Sequence, residues 1–167
     1  MNSKKFLAFA MAAAMTLSMT ACGGSGSGAA SSGTDSTAGT AFKLGGTGPL
    51  TGGASIYGLA AQRGAQIAVD EINAQGGAIQ FDLKYEDDQH DPEKAVNAYN
   101  ALKEWGMQIS LGSVTSQPGI STSALNQEDG IFALTPSASS PDVIAGKDNV
   151  YQMCFSDPNQ GLASAQA

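Results

Sequence analysis

The chain has 167 residues, 42% of them hydrophobic and 14% charged, with 15 acidic against 8 basic side chains and a formal charge of -7. That acidic balance argues against nucleic acid or an anionic membrane surface as a partner, since both are bound through clustered Lys and Arg. The length allows one domain of ordinary size and is short for a two-lobed protein.

Residues 1–21, MNSKKFLAFAMAAAMTLSMTA, combine a basic start at Lys4 and Lys5 with an uncharged apolar run from Phe6 to Met19 and small residues before Cys22. This is the pattern of an export signal, and the run is too short for a permanent transmembrane helix. LSMTAC resembles the lipobox of bacterial lipoproteins, with Met19 where leucine is more frequent. The resemblance implies lipidation of Cys22, an anchor in the cell membrane and an extracytoplasmic location; an ordinary secretory signal is the alternative. With Cys22 lipidated, Cys154 has no partner in the chain and no internal disulfide is expected. Removal of the signal leaves six basic and fifteen acidic residues.

Residues 22–40 are, after Cys22, almost entirely Gly, Ser, Ala and Thr. Such a segment buries too little apolar surface to offset its ordering entropy and is expected to be a flexible tether. From Ala41, short apolar segments alternate with helical patterns. AFKLGGT is expected as a first strand, weakened by Gly45 and Gly46. A helix is expected from Gly58 to Gln75, with Ala61, Ala65, Ala68 and Ile72 on its inner face, and Gly76-Gly77 ending it. FDLKYED alternates as a half-buried strand. In DPEKAVNAYNALKEW, Asp91 is the expected N-cap and Pro92 the first helical residue. Strand MQISLG, loop SVTSQP, a helix to Asp129, strand IFALT, loop PSASSPDV and strand VYQMCF follow. The alternation predicts an α/β fold with a mostly parallel sheet flanked by helices. No internal repeat is visible.

The glycine-rich stretch GTGPLTGGASIYG invites a phosphate-binding reading, which its residues defeat. A dinucleotide fingerprint needs a third glycine where Thr51 stands, and a P-loop needs lysine where Leu59-Ala60 follow Gly58. Thr51, Ser55 and Tyr57 instead offer hydroxyls and one ring, suited to a small polar ligand. An ordinary strand-to-helix turn with Tyr57 on the surface fits the same residues. Two further loops, SVTSQP and PSASSP, are rich in Ser and Thr and follow predicted strands. In open parallel sheets, ligands bind where such carboxyl ends meet. A helix after SVTSQP would aim its free N–H groups at the loop, a seat for a carboxylate. Loops without a basic residue fit a neutral or zwitterionic ligand.

The order GPLTGGASIYGLAAQRGAQIAVDEINAQGG, YEDDQHDPEKAV, LGSVTSQP and TPSASSP resembles the type I periplasmic binding proteins of branched-chain amino acid ABC transporters, from about Lys43 onward. The resemblance implies that Tyr57 is the ring near the cleft mouth. Thr115 and Ser116 match the loop that meets the ligand carboxylate. Ser137, Ala138 and Ser139 match the segment whose backbone carbonyl takes the ammonium and whose hydroxyl supports the carboxylate. Ser137 and Ser139 depart from a common form with alanine and threonine, which leaves ligand identity open. The implied protein is a monomer that captures a small amino acid, most simply a branched-chain one, and delivers it to ABC permease subunits, without cofactor or metal. Residues 41–155 are then a first lobe and 156–167 the start of a crossover. The second lobe is absent from the sequence, so a truncated lobe with weak binding is expected. The alternative function is a sensory or regulatory domain of the same fold that recognises amides, urea or another small solute.

His90 lies among Asp87, Asp88, Asp91 and Glu93 without recognised metal-ligand spacing, and a solvated strand-to-helix connection explains it. A catalytic arrangement would have to use His90, apart in sequence from the serine loops, so an enzyme is not expected. Cys154 is read as a buried small hydrophobe within the last strand, and Trp105 as a packing residue at a helix end.

Overall fold

The computed structural model describes residues 41–167. The expected signal peptide, the lipidation at Cys22 and the tether lie outside the described residues. Eight residues, Ala41–Gly48, form β1; Ser55–Ala74 form α1, Gln80–Asp87 β2, Pro92–Trp105 α2, Ile109–Ser113 β3, Ser116–Asp129 α3, Phe132–Thr135 β4, Val150–Gln152 β5 and Asp157–Gln166 α4. A single 3-10 turn, Pro141–Val143, lies between β4 and β5. All pairings are parallel, in the order β2-β1-β3-β4-β5. The chain therefore steps one way from β1 to β2 and then reverses across β1 to β3. With right-handed crossovers this reversal places α1 on one face and α2 with α3 on the other. Loops leaving β1 and β3 consequently diverge, and a crevice opens at their carboxyl ends.

Gly45 and Gly46 are buried and specific to the fold rather than a weakness in β1. A Cβ at Gly46 would meet the Tyr85 ring at 2.5 Å, and one at Gly45 would meet Met107 Sδ at 2.2 Å. The strand is glycine-rich because large side chains from its neighbours lie across it.

The α2–α3 face holds the main core, where Tyr99, Leu102 and Met107 are buried with Trp105, Leu125 and Ile131 against them. The expected start of α2 is present: Asp91 accepts from the Lys94 N–H at 2.9 Å, with Pro92 in the first turn. Gly106 ends the helix at φ 93°, a left-handed cap that glycine adopts without a Cβ clash. Trp105 packs as expected, with Lys43 Nζ 5.1 Å from its ring centroid and bonded to its carbonyl at 2.8 Å. The Tyr99 hydroxyl donates to Asp129 at 2.8 Å, and Lys103 pairs with the same carboxylate at 2.6 Å.

The inner face of α1 differs from the expected one. Gly58 and Val69 are its buried residues, Ala61 and Ala65 are half-buried, and Ala68 and Ile72 are exposed. Gly58 packs on the Pro49 backbone, while Asn73 donates to the Phe81 carbonyl at 2.8 Å and accepts from its N–H at 2.9 Å. Beside Val69, a glycine and an asparagine make the contacts, and neither of these two registers in an apolar period. The last strand is also shorter than expected. It stops at Gln152, so Cys154 lies outside any strand and is only half-buried.

Between β1 and β3 the register slips: Gly45 pairs with Ser110 but Thr47 with Ser113. The extra residue is accommodated at Gly112, where a φ of 62° and the 2.9 Å that would separate a Cβ from Thr135 Cα exclude a side chain. This bulge brings Ser113 beside Thr47, and the two hydroxyls share a hydrogen bond of 2.5 Å.

Candidate functional site

Three loops at the carboxyl ends of the sheet meet as the sequence suggests, and a fourth joins them. Tyr57 from the first turn of α1, Thr115 and Ser116 at the start of α3, and Ser137 and Ser139 after β4 line one cavity of about 440 Å3 with Val114, Gln117 and His90. Five of the six sequence-derived binding residues are thus on one wall. The sixth, Ala138, is fully buried behind it, and its carbonyl accepts from the Gln152 side chain. Ser137 and Ser139 also border a second cavity of about 650 Å3, which Cys154, Phe155 and α4 side chains complete. Burial pushes the Cys154 thiol up.

Ser116, Gln117 and Pro118 of the expected SVTSQP loop are in fact the first turn of α3. A helix leaves its first N–H groups without intrahelical partners. Proline removes the one at Pro118, so Ser116 and Gln117 supply the donors at the cavity. Thr115 holds the N-cap position without capping the helix through its side chain. Its hydroxyl instead meets His90 Nδ1 at 2.9 Å. The Ser116 hydroxyl accepts from the Ser140 N–H at 3.2 Å, and the Ser137 hydroxyl donates to the Val114 carbonyl at 2.6 Å, which fastens the two serine loops together.

Beneath this surface runs a second, buried layer of hydroxyls. Ser113 links Thr47 to Thr122, at 2.5 and 3.0 Å. The Thr135 hydroxyl donates to the Ser113 carbonyl at 2.6 Å and accepts from the Ala138 N–H at 3.1 Å.

Thr51 and Ser55, singled out in the first loop, are not on the cavity wall. Thr51 is instead bound to Asp87: its hydroxyl donates at 2.5 Å, while the Leu50 N–H donates to the same carboxylate at 2.8 Å. These contacts tie the β1–α1 loop to the end of β2. Burial alone would raise the Asp87 carboxyl; the Thr51 hydroxyl and the N–H groups of Gln89, Leu50 and Thr51 outweigh it and hold the group below its ordinary value.

His90 is the residue missed in the sequence. Distance along the chain separated it from the serine loops, yet EDDQHDPE follows a strand end like the other three. The rule that located them locates it too. Its neighbour Asp88 is fully buried; Oδ1 accepts from the His90 N–H at 2.9 Å, and Oδ2 has no partner. Burial pushes the Asp88 carboxyl up, with the His90 N–H opposing. Burial together with Asp88 pushes the Tyr85 phenol up to about 12. Among the described residues, no group of three or more His, Cys, Asp and Glu is placed to share a metal ion.

A raised carboxyl binds its proton more tightly in the folded state, so Asp88 stabilises the fold progressively as pH falls from neutral through its folded pKa. Asp87, held low, acts with the opposite sign: its contribution is present above the unfolded value of about 3.9 and is lost below it. Asp88→Asn is therefore expected to raise the urea midpoint at pH 7, with the gain shrinking towards pH 4. Urea titrations of both proteins at four pH values check this; a gain independent of pH contradicts it.

Comparison with known proteins agrees with this architecture. The family model described as periplasmic binding protein matches residues 41–167. The Leu/Ile/Val-binding protein BraC3 of Rhizobium johnstonii is 37% identical over 121 residues, which is 71% of this chain and 33% of that protein. The chain thus spans about a third of the length of the curated relatives it matches. The crystal structure of the branched-chain amino acid transporter substrate binding protein LivJ from Streptococcus pneumoniae, in complex with isoleucine, superimposes with a TM-score of 0.66 at 29% identity, covering 71% of this chain and 35% of that one. A solute binding protein of an ABC transporter from R. palustris, in complex with benzoate, gives 0.61 at 26% identity, covering 70% and 33%. With a parallel sheet of order 2-1-3-4-5 and a family match along its whole described length, this chain belongs to the periplasmic binding protein family of solute-binding proteins.

Proposed function

We propose that the chain is the first ligand-binding lobe, residues 41–155, of an extracytoplasmic solute-binding lipoprotein. It captures a small aliphatic amino acid and passes it to an ABC permease. In this reading residues 1–21 direct export, Cys22 carries the lipid, residues 22–40 are the tether, and residues 156–167 begin the crossover to a second lobe. That α4 buries none of its side chains is in keeping with a segment leaving the lobe.

The observation that carries the reading is the convergence of the Ser116 and Gln117 N–H groups with the hydroxyls of Thr115, Ser137 and Ser139 on a wall without Lys or Arg. Such a wall suits the carboxylate of a zwitterion, which brings its own compensating charge. Tyr57, 65% exposed, supplies a ring at the rim for an apolar side chain. The ammonium falls to carbonyls of the Ser137–Ser139 segment on the cavity wall; that of Ser139 keeps a second lone pair beside the bond from the Asp157 N–H. The branched-chain ligand class draws support from the relatives named for Leu, Ile and Val. The benzoate complex favours a second ligand, an aromatic carboxylate, since benzoate and isoleucine share only the carboxylate.

The test is an amide NMR titration of the full chain with L-isoleucine, benzoate and L-lysine. Isoleucine is expected to shift the Ser116, Gln117 and Ser139 amides and lysine to leave them in place. Absence of any shift at these amides with isoleucine would refute the amino-acid reading, and a response to benzoate alone would select the second ligand.

A further inference from the structure

We propose that His90 is a specificity-determining residue of the cleft that presents its ring Nε2 to the carboxylate of the bound ligand. This deepens the reading of the site given above and rests on it. His90 is the single histidine of the chain. It is the one basic side chain on the cavity wall.

Three observations aim it at the ligand. First, the ring is anchored by one nitrogen only. Nδ1 meets the Thr115 hydroxyl at 2.9 Å, and among the described residues nothing bonds Nε2. When the hydroxyl donates to Nδ1, the ring proton rests on Nε2, which is then a donor to an incoming anion. Second, the same contact takes Thr115 away from capping α3, so the Ser116 and Gln117 N–H groups stay free for the same anion. Third, the backbone is held in a disfavoured shape to put the ring there. Gln89 and His90 both have positive φ, 50° and 61°, a conformation that residues with a Cβ rarely adopt. Hydrogen bonds to Asp87 Oδ1 and Asp88 Oδ1, each 2.9 Å, and from the Asp91 N–H to the Asp88 carbonyl at 2.8 Å enforce it. Backbone strain over-determined in this way concentrates at functional sites.

Of the charged groups near His90, Asp87, Asp88 and Asp91 come from its own loop. Lys94 of α2 is engaged with the Gln89 side chain at 2.5 Å, Tyr57 of α1 offers a phenol, and α3 places no acidic side chain in its first turn.

Because the chain has one histidine, imidazole 15N labelling of the full chain reports on His90 without assignment. Saturating L-leucine is expected to move the Nε2 resonance and raise the ring's titration midpoint by about half a pH unit or more. Leucinamide, which lacks the carboxylate, is expected to leave both unchanged. His90→Gly removes the ring and relieves the left-handed strain. Its melting temperature is expected to hold or rise while leucine affinity falls about tenfold. If leucine shifts the Ser116 and Ser139 amides but not His90, or if His90→Gly binds leucine as the wild type does, the role assigned to His90 is overturned and the cleft stands. An equal response to leucinamide overturns the carboxylate assignment. If neither the cleft amides nor His90 respond to leucine, both readings fall together.

Discussion

Gly58→Ala is expected to cost the folded lobe about 3 kcal/mol or more, although alanine is the better helix former. A Cβ at this position would sit 2.1 Å from the Pro49 carbonyl oxygen, 2.6 Å from its carbon and 2.9 Å from its nitrogen. All three are backbone atoms, so no rotamer change makes room, and α1 must move away from the end of β1. Overpacking of this kind costs about 1–3 kcal/mol where side chains yield, and more where they do not. A domain of this size has a total of roughly 5–15 kcal/mol. Tyr57 precedes Gly58 in the same turn, so the displacement also carries the cavity rim outward. Gly64→Ala in the same helix is the control. A Cβ there meets nothing within 4 Å, and helix propensity predicts a gain of about 1 kcal/mol. Urea unfolding followed by circular dichroism reads both variants; equal midpoints for the two would contradict the packing account.

Thr135→Val is expected to have the second largest effect and to strike binding harder than its location suggests. The substitution nearly preserves shape and deletes one hydroxyl. That hydroxyl satisfies the Ser113 carbonyl at 2.6 Å and the Ala138 N–H at 3.1 Å, both at buried residues. Orphaning two buried backbone groups costs about 1–3 kcal/mol each, so a loss of roughly 3 kcal/mol is expected. The Ala138 N–H lies at the centre of the Ser137–Ser139 segment, which loses its inner attachment. Leucine affinity should therefore fall further than that of a Ser137→Ala variant, which removes one wall hydroxyl and its tie to the Val114 carbonyl but keeps the inner attachment. Unfolding midpoints and NMR-derived affinities for both variants test this; a Thr135→Val protein with wild-type stability would show that the buried pair finds water or other partners.

Much of the fold is legible in the sequence because its signals are local. Asp91 and Pro92 start α2, glycines end α2 and α3, and apolar segments separated by helical patterns announce a parallel sheet. The inner face of α1 is not legible, since beside Val69 it is Gly58 and Asn73 that make its contacts, through absence of a side chain and through an amide. Gly45 and Gly46 look like interruptions of β1 until the Tyr85 ring and Met107 are seen across them. The site is legible as far as hydroxyl-rich loops at strand ends go. Thr51 shows the limit: its hydroxyl faces Asp87 and not the cavity. His90 shows the converse, since separation along the chain does not measure distance at a sheet edge.

The two layers of hydroxyls have a consequence for how such a protein can diverge. Thr47, Ser113, Thr122 and Thr135 lock the strand ends from beneath, while Gln117, Ser137 and Ser139 face the cavity above them. In the proposed reading of the site, recognition falls to the upper layer, where Ser137 alone of these three also braces through its bond to the Val114 carbonyl, and the other bracing falls to the lower. Single substitutions in the upper layer would then alter which solute is preferred while the scaffold beneath remains intact. A lineage built on this plan is free to explore new ligands by small steps.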